Sequence, residues 1–344
     1  MSATDATDAV QLARTGHEVL FTHAALWGAA ALCEAAGRPV TIRWSRGLQL
    51  DGILEGVGVD EMARIVHERA VAARAPTSWI QAPLPHEPQR GLLSPRLKRF
   101  PDLAAWQTWQ AAREAALDAA GDALDLAMVA ALGQPSWWHL RPDRTADQDA
   151  GASRLEMQPR NQGSEFVGTR LRKLADSVSA RSVEEVARGL VGTVVRDDES
   201  PSPGRGYSAA NLQDPGPVDS ALAWTAMWGL SVSPVVQQVR LPARTPGHAP
   251  WQRDDPPPRA GHFVVPLWQS SWTIARLRMI VASGAAARIG RAVATGVPVP
   301  PADAAWLSEH GVERLVLMPV EVFGSAMSPE RRARPGVAYR LTGL

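Results

Sequence analysis

Three proline-rich stretches, 75–101, 196–217 and 242–261, constrain the fold of this chain more than any motif in it. Proline lacks a backbone N–H and has a fixed φ, so each stretch interrupts helix and sheet alike. The segments left between them carry helical and strand periodicity in no regular order. Helical spacing of apolar residues runs over 21–36, 59–74, 103–132 (one long helix or a pair), 167–178, 183–190, 218–230, 270–283, 285–294 and 302–310. Thr22 is the expected N-cap of the first and Gly37 its stop. Alternation predicts strands at 40–44 (with 48–50 as its hairpin partner), 235–241, 262–267, 312–322 and 337–341. Regular βα alternation is missing. The expectation is therefore an α+β fold, helix-rich, with short and mostly antiparallel sheets.

The net charge of +1 over 344 residues conceals an asymmetry. Residues 1–153 hold 14 basic and 18 acidic groups, a net of −4, whereas 154–344 hold 22 and 17, a net of +5. A charged, turn-rich connection at 141–153 suggests a boundary between an N-terminal α+β region (1–153) and a basic C-terminal α+β region (154–344). That boundary is soft, and one domain spanning both is the alternative. The positive half is where an anionic partner is expected. Arginine outnumbers lysine 34 to 2, and arginine supplies planar, bidentate forks suited to phosphate. The single cysteine, Cys33, excludes a disulfide framework and a multi-cysteine zinc site. No apolar run reaches membrane-spanning length and the start is acidic, so the expectation is a cytoplasmic protein with no membrane partner.

Catalytic signatures are not evident. The chain has no phosphate-binding loop, no Gly-x-Ser-x-Gly elbow and no His-Glu-x-x-His pair. No catalytic residue, metal ligand or cofactor is assigned. The most enzyme-like feature is Glu114, Asp118 and Asp122, spaced by four on one expected helical face. Such a stripe is the basis of an alternative reading as a metal-dependent, nuclease-like enzyme, although no second carboxylate helix accompanies it. Asp197, Asp198 and Glu199 read as a solvated acidic loop.

The basic segments are more informative. In 154–178 a polar loop runs into a helix whose stripe is Val167, Leu171, Leu174 and Val178. Arg160, Asn161 and Gln162 in the loop are suited to phosphates and base edges. Arg170, Arg172 and Lys173 are expected to face solvent, and the helix N-terminus to favour an anion. A second cluster is Arg90, Arg96, Lys98 and Arg99. A third region, 256–302, holds Arg259, Arg276, Arg278, Arg288 and Arg291 and no acid, with Arg276 and Arg278 expected to face outward. Tyr207 and Trp251 are candidates for stacking on bases.

Several segments together resemble a known family. Residues 17–44 (GHEVLFTHAALWGAAALCEAAGRPVTIRW, from Gly16) are similar to the opening of large-subunit proteins of type I-G (formerly I-U) CRISPR Cascade surveillance complexes. Residues 163–174, the WTAMWGLSVSP core of 221–234, and 311–325 carry the same likeness. The resemblance is spread over apolar patterns and includes no catalytic signature. It implies a non-enzymatic subunit that contacts target DNA. Guide RNA, the other Cascade subunits and a recruited helicase-nuclease are the further partners it implies. On that reading Arg160, Asn161, Gln162, Arg170, Arg172 and Lys173 position phosphates or base edges, and Arg276, Arg278, Arg288 and Arg291 line a backbone channel. A protein-interaction scaffold without direct DNA contact is the remaining alternative.

Overall fold

The computed structural model describes residues 8–13, 16–47, 50–85, 87–95, 97, 100–120, 122–140, 143–144, 147–155, 166–198, 218–250, 261–325 and 328–341. The first half runs β1 (Ala9–Gln11), α1 (Leu20–Ala35), β2 (Thr41–Trp44), β3 (Gly52–Glu55), α2 (Val59–Arg74), β4 (Pro83–Leu84), β5 (Glu87–Gly91), α3 (Leu103–Asp118) and α4 (Ala123–Leu132). A π-helical turn, Val167–Leu171, then leads into α5 (Arg172–Ser179), followed by α6 (Val183–Val191) and α7 (Ser220–Trp228). The chain continues through β6 (His248–Pro250), β7 (Gly261–Leu267), α8 (Ile274–Ala282), α9 (Ala285–Thr295) and α10 (Pro301–Glu309). It ends on β8 (Arg314–Ser325), β9 (Ser328–Ala333) and β10 (Val337–Arg340). This is a helix-rich α+β fold, and every strand pairing among the described residues is antiparallel.

Two helices occupy its centre. In α1 every residue from Leu20 to Cys33 is buried, and all nine residues of α7 are buried. A helix without a polar face is stable in water only when other elements surround it. The two pack against each other through glycines. A Cβ on Gly28 would stand 1.8 Å from the Thr225 carbonyl oxygen, and one on Gly229 would stand 2.0 Å from that of Ala24. Only glycine permits so close an approach of two backbones. The helices α2, α5 and α6 close around this pair.

The first sheet has the order β1-β3-β2. The outer edge of β2 is taken by chain from the other end of the sequence. Ile42 exchanges both backbone bonds with Trp272 (2.8 and 2.9 Å), and the Trp44 N–H donates to the Trp268 carbonyl (3.3 Å). The Trp268 indole also donates to the Ile42 carbonyl at 3.0 Å. Trp268 and Trp272 stack with centroids 4.3 Å apart, and Trp44 meets Trp268 edge-on. The C-terminal sheet has the order β10-β8-β7-β6, and β9 pairs the far half of β8. Residues from either side of position 153 enter the same apolar core.

Local expectations fail at three places. Thr22 lies inside α1 rather than at its start, where Val19 occupies the N-cap position. The partner of β2 is β3, at Gly52–Glu55, in place of the expected 48–50. The stretch 75–101 is mostly loop as expected, with the short β4–β5 hairpin inside it. The expected strand 235–241 is a loop fixed by one isolated bridge, Val236 to Arg244. Its alternating aliphatics meet no sheet face, and Val239 and Leu241 remain 77% and 61% exposed. No helix among the described residues is long and apolar enough to cross a membrane.

Candidate nucleic-acid interface

The segment 166–179 forms as a helix, but its two arginines do not stand free on the surface. Its first turn, Phe166 to Gly168, is buried against β5: a Cβ on Gly91 would stand 2.5 Å from Val167 Cγ1. The described start of this helix is therefore packed against β5. Arg172 is half-buried. Its Nε and Nη2 donate to the Ile80 carbonyl (3.3 and 3.2 Å) and its Nη1 to that of Pro88 (3.3 Å). This arginine ties α5 to the β4–β5 region instead of facing solvent. Arg170 is half-buried, and Lys173 is exposed. Arg160, Asn161, Gln162, Tyr207, Trp251 and Arg259 lie outside the described residues, as do Arg96, Lys98 and Arg99. Arg90 is buried beside Glu87 at 2.5 Å.

The acid-free region 256–302 is not free of acids in space. Arg276 is half-buried, its guanidinium 4.5 Å above the Trp272 ring and donating to the His310 carbonyl at 2.6 Å. Arg278 is half-buried within 3.8 Å of Glu34 at the end of α1. Neither faces outward as expected, because each adjoins the buried Leu277 and so lies at an edge of the helix's apolar stripe. Arg288 holds Asp303 of α10 through two parallel bonds of 2.8 and 2.7 Å, which raises its own pKa. Arg291 is exposed, and no carboxylate among the described residues pairs with it.

One cationic cluster is real, and sequence spacing did not point to its key member. The exposed Arg244 belongs to the proline-rich stretch 242–261, and the bridge to Val236 holds its backbone (2.8 and 2.9 Å). Its Nη1 and the Nη1 of Arg288 lie 2.8 and 3.1 Å from the point that a Cβ on Gly284 would occupy. Two guanidinium groups thus meet over the start of α9, where Gly284 supplies no side-chain cap. Arg291 lies three residues beyond Arg288 and so extends the cluster by about one turn. Clustered guanidinium groups suit a phosphate oxygen, while the Ala285 amide at the start of α9 is already taken by the Ser283 hydroxyl at 3.2 Å. The only sequence signal for Arg244 is its basic charge within a loop.

The carboxylates do not form the expected single face. The stripe Glu114, Asp118, Asp122 is broken, because α3 ends at Asp118 and Asp122 is the N-cap of α4, accepting from the Leu124 and Asp125 amides. Asp122 also holds Arg69 at 2.5 Å, and Asp125 accepts from both Arg69 and the Trp79 indole. Arg69 in turn lies 4.2 Å above Trp228. Burial raises the pKa of Asp125. At Asp122 burial opposes ionisation, but the Arg69 bond and charge outweigh it and lower the pKa. Asp198 accepts from Ser177 and Arg181 and pairs with Arg196, so the acidic run 197–199 begins as part of an ion network. No group of three or more metal-ligating side chains occurs among the described residues. No protein-family model matches the chain, and no curated protein matches it at a significant level.

Proposed function

We propose that the chain is a non-enzymatic, nucleic-acid-binding subunit of a CRISPR type I-G effector complex, contacting target DNA and neighbouring subunits. The observation that carries the reading is the meeting of Arg244 and Arg288 over Gly284, with Arg291 beyond them. That cluster offers a phosphate backbone charge and oriented donors without any base-reading geometry. The resemblance of 17–44, 163–174, 221–234 and 311–325 supplies the assignment to this type of complex. Guide RNA is then met through the assembly, and the helicase-nuclease is recruited to it.

The test is a salt titration of duplex DNA binding, by the chain and by the assembled complex. Arg244→Glu with Arg291→Glu is expected to weaken binding and to lower the slope of log K against log salt by about 1 for each phosphate that is no longer neutralised. Arg172→Glu is expected to lower thermal stability first, since it breaks the hydrogen bonds to Ile80 and Pro88. An unchanged salt slope in the double variant sinks the assignment of this cluster.

A scaffold role has its own support. Val239 and Leu241 are held exposed on a loop that is pinned rather than slack. The Val235 N–H donates to Ala130, the Gln237 side chain to Gly151 and the Ala243 N–H to Ala150.

A further inference from the structure

Among the described residues, the first sheet has one closed edge and one open edge. Trp268 and Trp272 close β2, while the outer side of β1 pairs with no strand among the described residues. The register identifies which groups are left. Gly56 donates to the Asp8 carbonyl, so Asp8 and Val10 are the residues of β1 that bond β3. In an antiparallel ladder the intervening residues aim their N–H and C=O the other way. Ala9 and Gln11 therefore present two donors and two acceptors outward, and neither has a backbone partner among the described residues. The bond from Ser45 to the Asp51 carbonyl sets the same phase across β2 and β3, leaving Ile42 outward on the closed edge.

This edge faces a groove of about 690 Å³, lined by Asp8, Val59, Asp60, Glu61, Arg64 and Val191. Val59 and Val191 give it apolar walls at the ends of α2 and α6. Three carboxylates stand against one guanidinium in that lining, and Glu61 is also 3.6 Å from Arg38 outside it. An anionic ligand such as nucleic acid is disfavoured there. We infer that the open edge of β1 is a docking site for an extended, basic segment of a partner protein, which adds as a fourth strand beside β1. Backbone bonds to Ala9 and Gln11 hold the segment, and Asp8 and Asp60 select its lysine or arginine side chains. The inference does not depend on the DNA-binding reading, since it concerns a different surface of opposite charge.

The probe is a fluorescein-labelled heptapeptide alternating lysine and valine, titrated against the full chain by anisotropy. The chain is expected to bind it saturably. N-methylation of alternate peptide nitrogens, or glutamate in place of lysine, is expected to weaken binding by about tenfold or more, the scale of one or two missing hydrogen bonds. Gln11→Pro removes an outward donor without touching the β1–β3 ladder, as an edge strand tolerates, and is expected to weaken binding by a similar factor. Asp60→Lys on the exposed first turn of α2 gives a second variant that leaves the strand intact, and is expected to weaken the lysine peptide only. Equal binding of the N-methylated peptide would overturn the proposal, because charge attraction alone explains that result. No binding by the full chain overturns it as well. Binding only after removal of residues 1–7 also does so, by identifying the chain's own leading segment as the occupant.

Discussion

His23 shows how far burial can override the ordinary chemistry of a side chain. Its Nε2–H donates to the His17 carbonyl at 2.7 Å, and its ring packs against Trp44 and Trp27. Burial pushes its pKa down from 6.5 to about 3. The unfolded chain therefore takes up a proton near pH 6.5 that the folded chain refuses until about pH 3. Stability is intact above pH 6.5 and falls as pH drops through that window, by about 1.4 kcal/mol per unit for one such group. His17, whose pKa burial also lowers, adds a slope of the same sign. Urea unfolding of the native chain and of His23→Gln, compared from pH 7 to pH 4, is expected to show a shallower acid loss in the variant. Parallel curves would refute the assignment. Nothing in the sequence distinguished this histidine from its neighbour six residues back. The burial that perturbs it comes from Trp44, which spacing along the helix does not reveal.

At the scale of elements, the junction of α5, α6 and α7 depends on a buried charge. The Arg181 side chain is almost fully enclosed, donates to Asp219 at 2.7 Å and pairs with Asp198 at 2.6 Å. Burial opposes its charge, but the two aspartates outweigh this and raise its pKa. Asp219 also caps α7 through the Ala221 N–H and receives the Arg196 N–H. Asp219→Ala leaves the guanidinium half-paired and α7 uncapped. It is expected to cost about 3–5 kcal/mol, read as a lower urea midpoint. Apolar periodicity was more legible than capping, since the expected N-cap Thr22 lies inside α1. Ser182 and Glu185 form a capping box where the helix 183–190 was expected to begin, and the apolar stripe Val167, Leu171, Leu174, Val178 is buried throughout. The stripe of Glu114, Asp118 and Asp122 misled because regular spacing implies one helix only when nothing interrupts it. Here Asp122 is a better cap than a helix-interior residue.

For the molecule as a whole, charge was less legible than fold class. An acid-free run of sequence suggested a positive field, yet Glu34 and Asp303 reach its arginines from other elements. Chain-local counts cannot see pairs made across the fold. The apolar pattern was more dependable, since a segment that is apolar on one or all sides has few places to go. The packing of Gly28 against Thr225 and of Gly229 against Ala24 has a consequence for how the protein is made. During synthesis α1 emerges some two hundred residues before the helix that covers it. For that interval a largely apolar segment lacks its principal cover, and its pairing with α7 carries a long loop-closure entropy. A fragment ending at residue 153 is expected to pellet or to remain bound to chaperones, while the full chain stays in the supernatant. A fragment that is monomeric and resists protease would show that α1 finds cover without α7. In the cell, the yield of this protein is then set less by its final stability than by how long its central helix waits.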